Sequence, residues 1–239
     1  MTSVRLLVLI IASNDLPVYS HLETIWRQYG HKDPERVTCF FMKAHPTLTS
    51  EVVIQDDIIL CKTQESIIPG ILNKTIISLQ ALDALPTDNR MSLSSYDYVL
   101  RCNLSSFYIF PRLLRILESS PRTHFYYGTS IGDGVTGSGC GFILSKDVAH
   151  VLASESSLIG KTDSNDDVVI GHFLINKGYR LKLHHRVDRF TKDPEPAWLH
   201  EVERAKHDES IFHFRTKLPN DERLVYETEI RKELLRLFV

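Results

Sequence analysis

The sequence predicts a single α/β domain, and three observations carry that expectation. Short apolar runs rich in Val, Ile and Phe alternate with segments of helical periodicity. The 239 residues, 43% of them hydrophobic, suit one sizeable core. No internal repeat or low-complexity tract interrupts the pattern. Strands alternating with helices place a ligand crevice at the carboxyl ends of the strands, which is where chemistry is expected.

The elements follow in order. Leu6 to Ala12 is an apolar run read as a buried strand; it is far shorter than the roughly 20 residues of a membrane span, and no cleavage-site pattern follows it. It ends in Ala12-Ser13-Asn14-Asp15 with neither a G-x-G-x-x-G nor a Walker-type glycine loop, which argues against dinucleotide oxidoreductases and simple NTPases. Val18, Leu22, Ile25, Trp26 and Tyr29 share one helical face, with Pro17 in the first turn and Gly30 at the end. Val37 to Met42 and Tyr98 to Leu100 read as strands, separated by a helix that carries Ile76, Leu79 and Leu82. A third helix, after Pro111, carries Leu113, Leu114 and Leu117.

Phe125 to Tyr127 and Phe142 to Leu144 are the next strands. Ser145 suits the cap of a helix bearing Val148, Val151 and Leu152, and another helix runs from Asp166 to a terminating Gly178. The polar, proline-containing stretch from Thr191 to Glu209 reads as a mobile loop or docking segment. Ile211 to Phe214 is the last strand, and a final helix with Leu224, Leu234, Leu235 and Leu237 packs back on the domain.

A formal net charge of −2 gives no global field to attract nucleic acid or an anionic membrane, so any phosphate recognition is local. Cys39, Cys61, Cys102 and Cys140 are scattered, without the close pairs that zinc or redox chemistry uses. A reducing, cytoplasmic setting is the expectation. The formal sequons at Asn73 and Asn103 then read as coincidences.

In an extended segment residues two apart share a face. Arg101, Asn103 and Ser105 are thus expected to point together into the crevice, with Cys102 and Leu104 pointing away. The same period in Phe212-His213-Phe214-Arg215-Thr216-Lys217 puts His213, Arg215 and Lys217 on one face and both phenylalanines on the other. His184 and His185, being adjacent, are expected to face opposite sides as loop or surface residues.

Several ordered segments resemble the family 31 and Fringe-like glycosyltransferases. Asp57-Ile58-Ile59 followed by Asn73-Lys74-Thr75 is similar to that family's acidic, apolar stretch leading into its "N-L-T-x-K-T" helix. Tyr98-Val99-Leu100-Arg101-Cys102 resembles its "F-V-L-K-T" strand, and Ser138-Gly139-Cys140-Gly141-Phe142-Ile143-Leu144-Ser145 resembles "G-G-G-Y-V-L-S". Asp166-Asp167-Val168-Val169-Ile170-Gly171, the most specific match, resembles "E-D-V-x-x-G". Arg101 to Phe107 is also similar to the "R-T-N-L-S-S-F" strand end of predicted bacterial and large-DNA-virus glycosyltransferases.

The resemblance implies a single GT-A glycosyltransferase domain over 1–239, Rossmann-like with a mixed central sheet. Residues 1–110 would be its nucleotide-binding half, 111–218 its acceptor and catalytic half, and 219–239 a C-terminal helix. It implies inverting transfer from a UDP-sugar to a glycan acceptor, with Asp167 as the base and Asp166 orienting the acceptor or tuning that base. The same two carboxylates also suit a plain helix start. Asn103 and Ser105 stand where the family carries the outer acidic residues of its metal-binding triplet, and neutral amide and hydroxyl groups hold a hard cation poorly. No cofactor is therefore expected; Mn or Mg is the less favoured alternative.

Diphosphate stabilisation is assigned instead to His213, Arg215 and Lys217, with Lys74 and Arg101 as further candidate anion partners. Ser13 and Asn14 take the uracil and ribose by fold analogy, and Gly139 and Gly141 allow close backbone approach to sugar or acceptor. The alternative is an inactive GT-A domain that binds a glycan or a partner. The sequence leaves the sugar, the linkage and the oligomeric state open.

Overall fold

The computed structural model describes residues 3–219 and 222–239. The expected C-terminal segment 219–239 thus includes Asn220 and Asp221, which lie outside the described residues, as do Met1 and Thr2.

The protein is a mixed α/β fold whose main sheet has eight strands in the order β3-β4-β2-β1-β5-β8-β7-β9. The central strand β1 (Leu6–Ile11) pairs in parallel with β2 (Val37–Ala44) on one side and β5 (Tyr98–Asn103) on the other. Leu6, Val8 and Ile10 enter the core on one face, and Leu7, Leu9 and Ile11 the core on the other. That two-sided burial is why the run is continuously apolar rather than alternating.

Beyond β2 lie β4 (Ile58–Cys61) and β3 (Val52–Gln55), the second antiparallel to the first. Beyond β5 lie the antiparallel β8 (Gly137–Ser145), then β7 (Tyr126–Ser130) and β9 (Leu181–Leu183). Helices α1 (Pro17–Gly30) and α3 (Phe110–Glu118) cover one face. Helices α2 (Gly70–Asp83), α4 (Lys146–Ala153) and α5 (Asp166–Asn176) cover the other. Gly178, at a φ of 90°, closes the turn that follows α5.

A second, three-stranded sheet has the order β10-β11-β6. Leu104-Ser105 forms the elbow from β5 into β6 (Ser106–Tyr108), which runs antiparallel to β11 (His213–Thr216); β10 (Val187–Arg189) lies parallel on the far side. The Thr216 amide donates to the Ser105 carbonyl at 2.9 Å, fixing the end of β11 against the elbow. This crossing brings Arg215 and Lys217 to the carboxyl end of β5.

Three expectations change here. Thr191 to Glu209 is not a loop throughout: it contains α6 (Pro196–Ala205), whose Trp198 is buried edge-on against Phe214 with ring centroids 5.8 Å apart. The short strands β3, β4, β6, β9 and β10 were not foreseen, and β8 begins five residues earlier than its apolar run because Gly137 to Gly141 carry little side chain. The C-terminal helix α7 (Thr228–Phe238) follows a wide π-helical turn over Arg223–Glu227 and packs Leu234 and Phe238 on the core, but Leu224 is exposed. All four cysteines are buried and unpaired, and no helix among the described residues is long and apolar enough to cross a membrane.

Candidate active site

The strand order reverses at β1, so the crevice outside the carboxyl ends of β1 and β5 is the topological switch point of the sheet. Two adjoining cavities of about 370 and 460 Å³ occupy it, sharing Ile11, Ile67, Ile71, Asn103 and Lys217 as walls. The smaller takes in Ser13, Asp15, Glu65, Ser105 and Arg223. The larger takes in Arg101, Gly139, Asp166, Asp167, Arg186 and Arg215. Another cavity, of about 240 Å³ between α1, α3 and the C-terminal residues, is lined by Tyr29, Phe110 and Leu114 with several charged side chains, and lies at the opposite end of the strands, beside Val37 at the start of β2.

Arg101 is nearly fully buried and anchors the larger cavity. Its Nη1 donates to the Gly139 carbonyl at 2.6 Å, and its Nη2 is bonded to the Asp166 carboxylate. Burial, only partly offset by Arg101, holds the Asp166 carboxyl above the usual carboxylate range. Asp166 and Arg101 thus neutralise one another and brace the start of α5 against β8. Asp167 lines the cavity beside them, its Oδ2 accepting from the Gly139 amide at 2.9 Å and its Oδ1 from the Val168 amide at 3.0 Å.

Gly139 lets these side chains approach closely. A Cβ there would lie 3.1 Å from Asp167 Oδ2 and 3.2 Å from Arg101 Nη1. At Gly141 the crowding atom is the Tyr108 hydroxyl, 1.7 Å from a Cβ, so that glycine makes room for a tyrosine and not for sugar or acceptor.

Asn103 and Ser105 reach the cleft as the two-residue period predicts and Cys102 enters the core, whereas Leu104 packs on the core and also lines the smaller cavity. Asn103 Oδ1 accepts from the Ser105 amide at 3.1 Å and its hydroxyl at 2.6 Å, and Asn103 Nδ2 donates to the Gly139 carbonyl at 3.4 Å. A divalent cation does not fit this strand end: its amide oxygen is already occupied and it offers no carboxylate. Among the described residues no three His, Cys, Asp or Glu side chains converge.

Arg215 and Lys217 both line the larger cavity, and Lys217 the smaller as well. Neither forms an ion pair among the described residues, and Arg215 Nε is buried without a hydrogen-bond partner. The Phe190 ring lies 5.2 Å from the Arg215 guanidinium carbon.

His213 does not reach the cleft. It shares the face of Arg215 but is fully buried, stacked on Tyr108 at 4.1 Å, with Nδ1 3.0 Å from His184 Nε2. Burial, reinforced by the charges of Arg186, Arg231 and Arg215, holds it well below the ordinary histidine range, so it is neutral and out of reach of a cleft anion. His184, in the loop that follows β9, is half-buried with the rings of Tyr127, Phe212 and His213 against it, while His185 is exposed beside Glu201. Lys74 is also withdrawn, its buried Nζ bonded to Glu65 at 2.6 and 2.9 Å and to the Ala12 carbonyl at 2.9 Å. Ser13 lines the smaller cavity, whereas Asn14 is exposed outside it and accepts from Lys43 at 3.0 Å.

Sequence reasoning missed Arg186 and Asp188. Arg186 Nε and Nη2 bond Asp188 Oδ1 and Oδ2 at 2.6 and 2.8 Å, and Nη1 reaches Ser138 Oγ at 3.1 Å in the larger cavity. Their spacing of two along an extended segment was the signal.

No family model matches the sequence, and no curated protein matches it. Among solved structures, the chain is similar to a crystal structure of a glycosyltransferase involved in the glycosylation of the major capsid of PBCV-1. The identity is 10% and the TM-score 0.49, over 94% of this chain and 98% of that one. A likeness of that depth leaves the chemistry of the cleft to its own residues.

Proposed function

We propose that the chain is an inverting glycosyltransferase that moves a sugar from a UDP-sugar to a glycan acceptor without a divalent cation. The observation that carries this reading is a carboxylate, Asp167, sharing one cleft with two cations, Arg215 and Lys217, that have no counter-charge among the described residues. A partly buried guanidinium is costly to leave unpaired, so its presence there favours an anionic ligand. The arrangement of base and uncompensated cations suits displacement of a diphosphate.

In that reaction Asp167 takes the proton of the acceptor hydroxyl as its oxygen forms a bond to the anomeric carbon. The bond from that carbon to the β-phosphate oxygen breaks, and the electron pair leaves on UDP. Arg215 and Lys217 stabilise the charge that develops on the phosphate. Gly139 and α5 fix Asp167, and Arg101 keeps Gly139 and Asp166 in place. The smaller cavity, with Ser13 and Ser105, receives the nucleoside.

The test is UDP release from a panel of UDP-sugars in the presence of chelator. Turnover is expected to persist there and to fall about 10²- to 10⁴-fold in Asp167→Asn. Loss in chelator with full recovery on manganese would remove the metal-free claim. UDP binding without turnover of any donor would leave a binding module.

A further inference from the structure

In the nucleotide-sugar reading, the charges of the cleft fall into a paired and an unpaired set. Resting on that reading, we propose that Asp188 sets donor choice: by occupying Arg186 it leaves the sugar compartment without an available cation, so the site takes a neutral sugar and excludes one bearing a carboxylate.

Four cations line the larger cavity, and they divide into two classes. Arg101 is matched by Asp166, and Arg186 is matched bidentately by Asp188. Arg215 and Lys217 remain, and their two positive charges equal the two negative charges of the diphosphate in a nucleotide sugar. Asp167 must stay ionised to accept a proton. A uronate entering beside Asp167 would therefore meet like charge and find no unpaired cation beyond the two given to the phosphates, the repulsive arrangement by which sites reject a wrong partner.

The pairing of Asp188 is selective. In the parallel register of β10 and β11, Asp188 stands opposite Arg215, yet its carboxylate is turned to Arg186, two residues earlier on its own chain. It thereby silences one arginine and leaves the other to the phosphates. The Arg186 side chain is only 8% exposed, and its Nη1 bond to Ser138 points the guanidinium into the cavity wall, where an unpaired charge would be strongly felt. Asp188 acts through Arg186 and is a positioning residue.

The experiment titrates UDP, UDP-glucose and UDP-glucuronate into wild type and Asp188→Asn by calorimetry. Wild type is expected to prefer UDP-glucose over UDP-glucuronate by at least about tenfold. Asp188→Asn should leave UDP affinity nearly unchanged and shift that preference about tenfold toward the glucuronate, and adding Arg186→Gln should cancel the shift. A merely structural Asp188 would weaken both donors in parallel, and that outcome overturns the proposal. So does equal affinity of wild type for the two donors, which decides the matter even if Asp188→Asn does not fold. Wild type that binds no UDP sinks the nucleotide-sugar reading itself, and the proposal with it.

Discussion

Arg215 carries its charge into the cleft with a buried Nε unpartnered among the described residues and the Phe190 ring 5.2 Å from its guanidinium carbon. Deleting a paired arginine strands a carboxylate; deleting this one strands nothing among the described residues. Arg215→Met is therefore expected to leave the unfolding midpoint unchanged or slightly raised while weakening UDP binding about 10- to 100-fold, in line with about 1.5–3 kcal/mol for a charge-assisted bond. Calorimetry with a parallel thermal melt checks both, and a destabilised variant with normal UDP affinity would place Arg215 in a structural role. At this scale the sequence was legible where a side chain's face decides its fate and illegible where depth does. The two-residue period placed His213 and Arg215 on one face correctly. It could not show that Tyr108 and His184 roof the His213 end of that face while the Arg215 end opens into the cavity. Lys74 was misplaced for the same reason, since Glu65 and the Ala12 carbonyl draw it inward from a helix position that reads as amphipathic.

Helix α6 shows what the sequence hid among the elements. Its stretch is polar and proline-containing, but Pro196 occupies the first turn, and Trp198, Val202 and Ala205 form a short apolar stripe against β11 and the core. Trp198 is enclosed by Phe214 and by the Arg189 guanidinium, 5.7 Å from its ring. Trp198→Ala is expected to cost about 3–5 kcal/mol, read as a lowered urea midpoint, because it opens a cavity under the second sheet. A docking segment on an otherwise complete fold would lose nothing. The three-residue strands β6, β9 and β10 were missed because so short a run has no measurable period; they exist because longer neighbours supply their hydrogen bonds. The long elements were legible: Val18, Leu22, Ile25, Trp26 and Tyr29 all face the core, as their spacing demands.

For the molecule as a whole, the junction between the two sheets governs how stability responds to acid. His213 comes from β11, Tyr108 from β6 and His184 from the end of β9, and the three meet with Tyr108 Oη, His213 Nε2 and His184 Nδ1 buried and unpartnered. Burial, with the charges of Arg186 and His185 nearby, pushes His184 down to about 3, and His213 is also held far below its ordinary value. An unfolded chain takes up protons on both histidines near pH 6.5, whereas the folded chain resists until far lower pH. Between those limits the unfolded state binds more protons, so stability falls as pH falls, by up to about 1.4 kcal/mol per pH unit for each histidine. Asp166 works in the opposite sense: its raised folded value gives a contribution present in acid and lost as pH rises through that value, which blunts the slope only at the acid end. The folded chain should therefore lose stability steadily from pH 6.5 to 5 in urea titrations, and His213→Gln should roughly halve that slope. A flat profile between pH 7 and 5 would mean that the histidines already meet solvent, and the packing of the second sheet on the first would have to be redrawn.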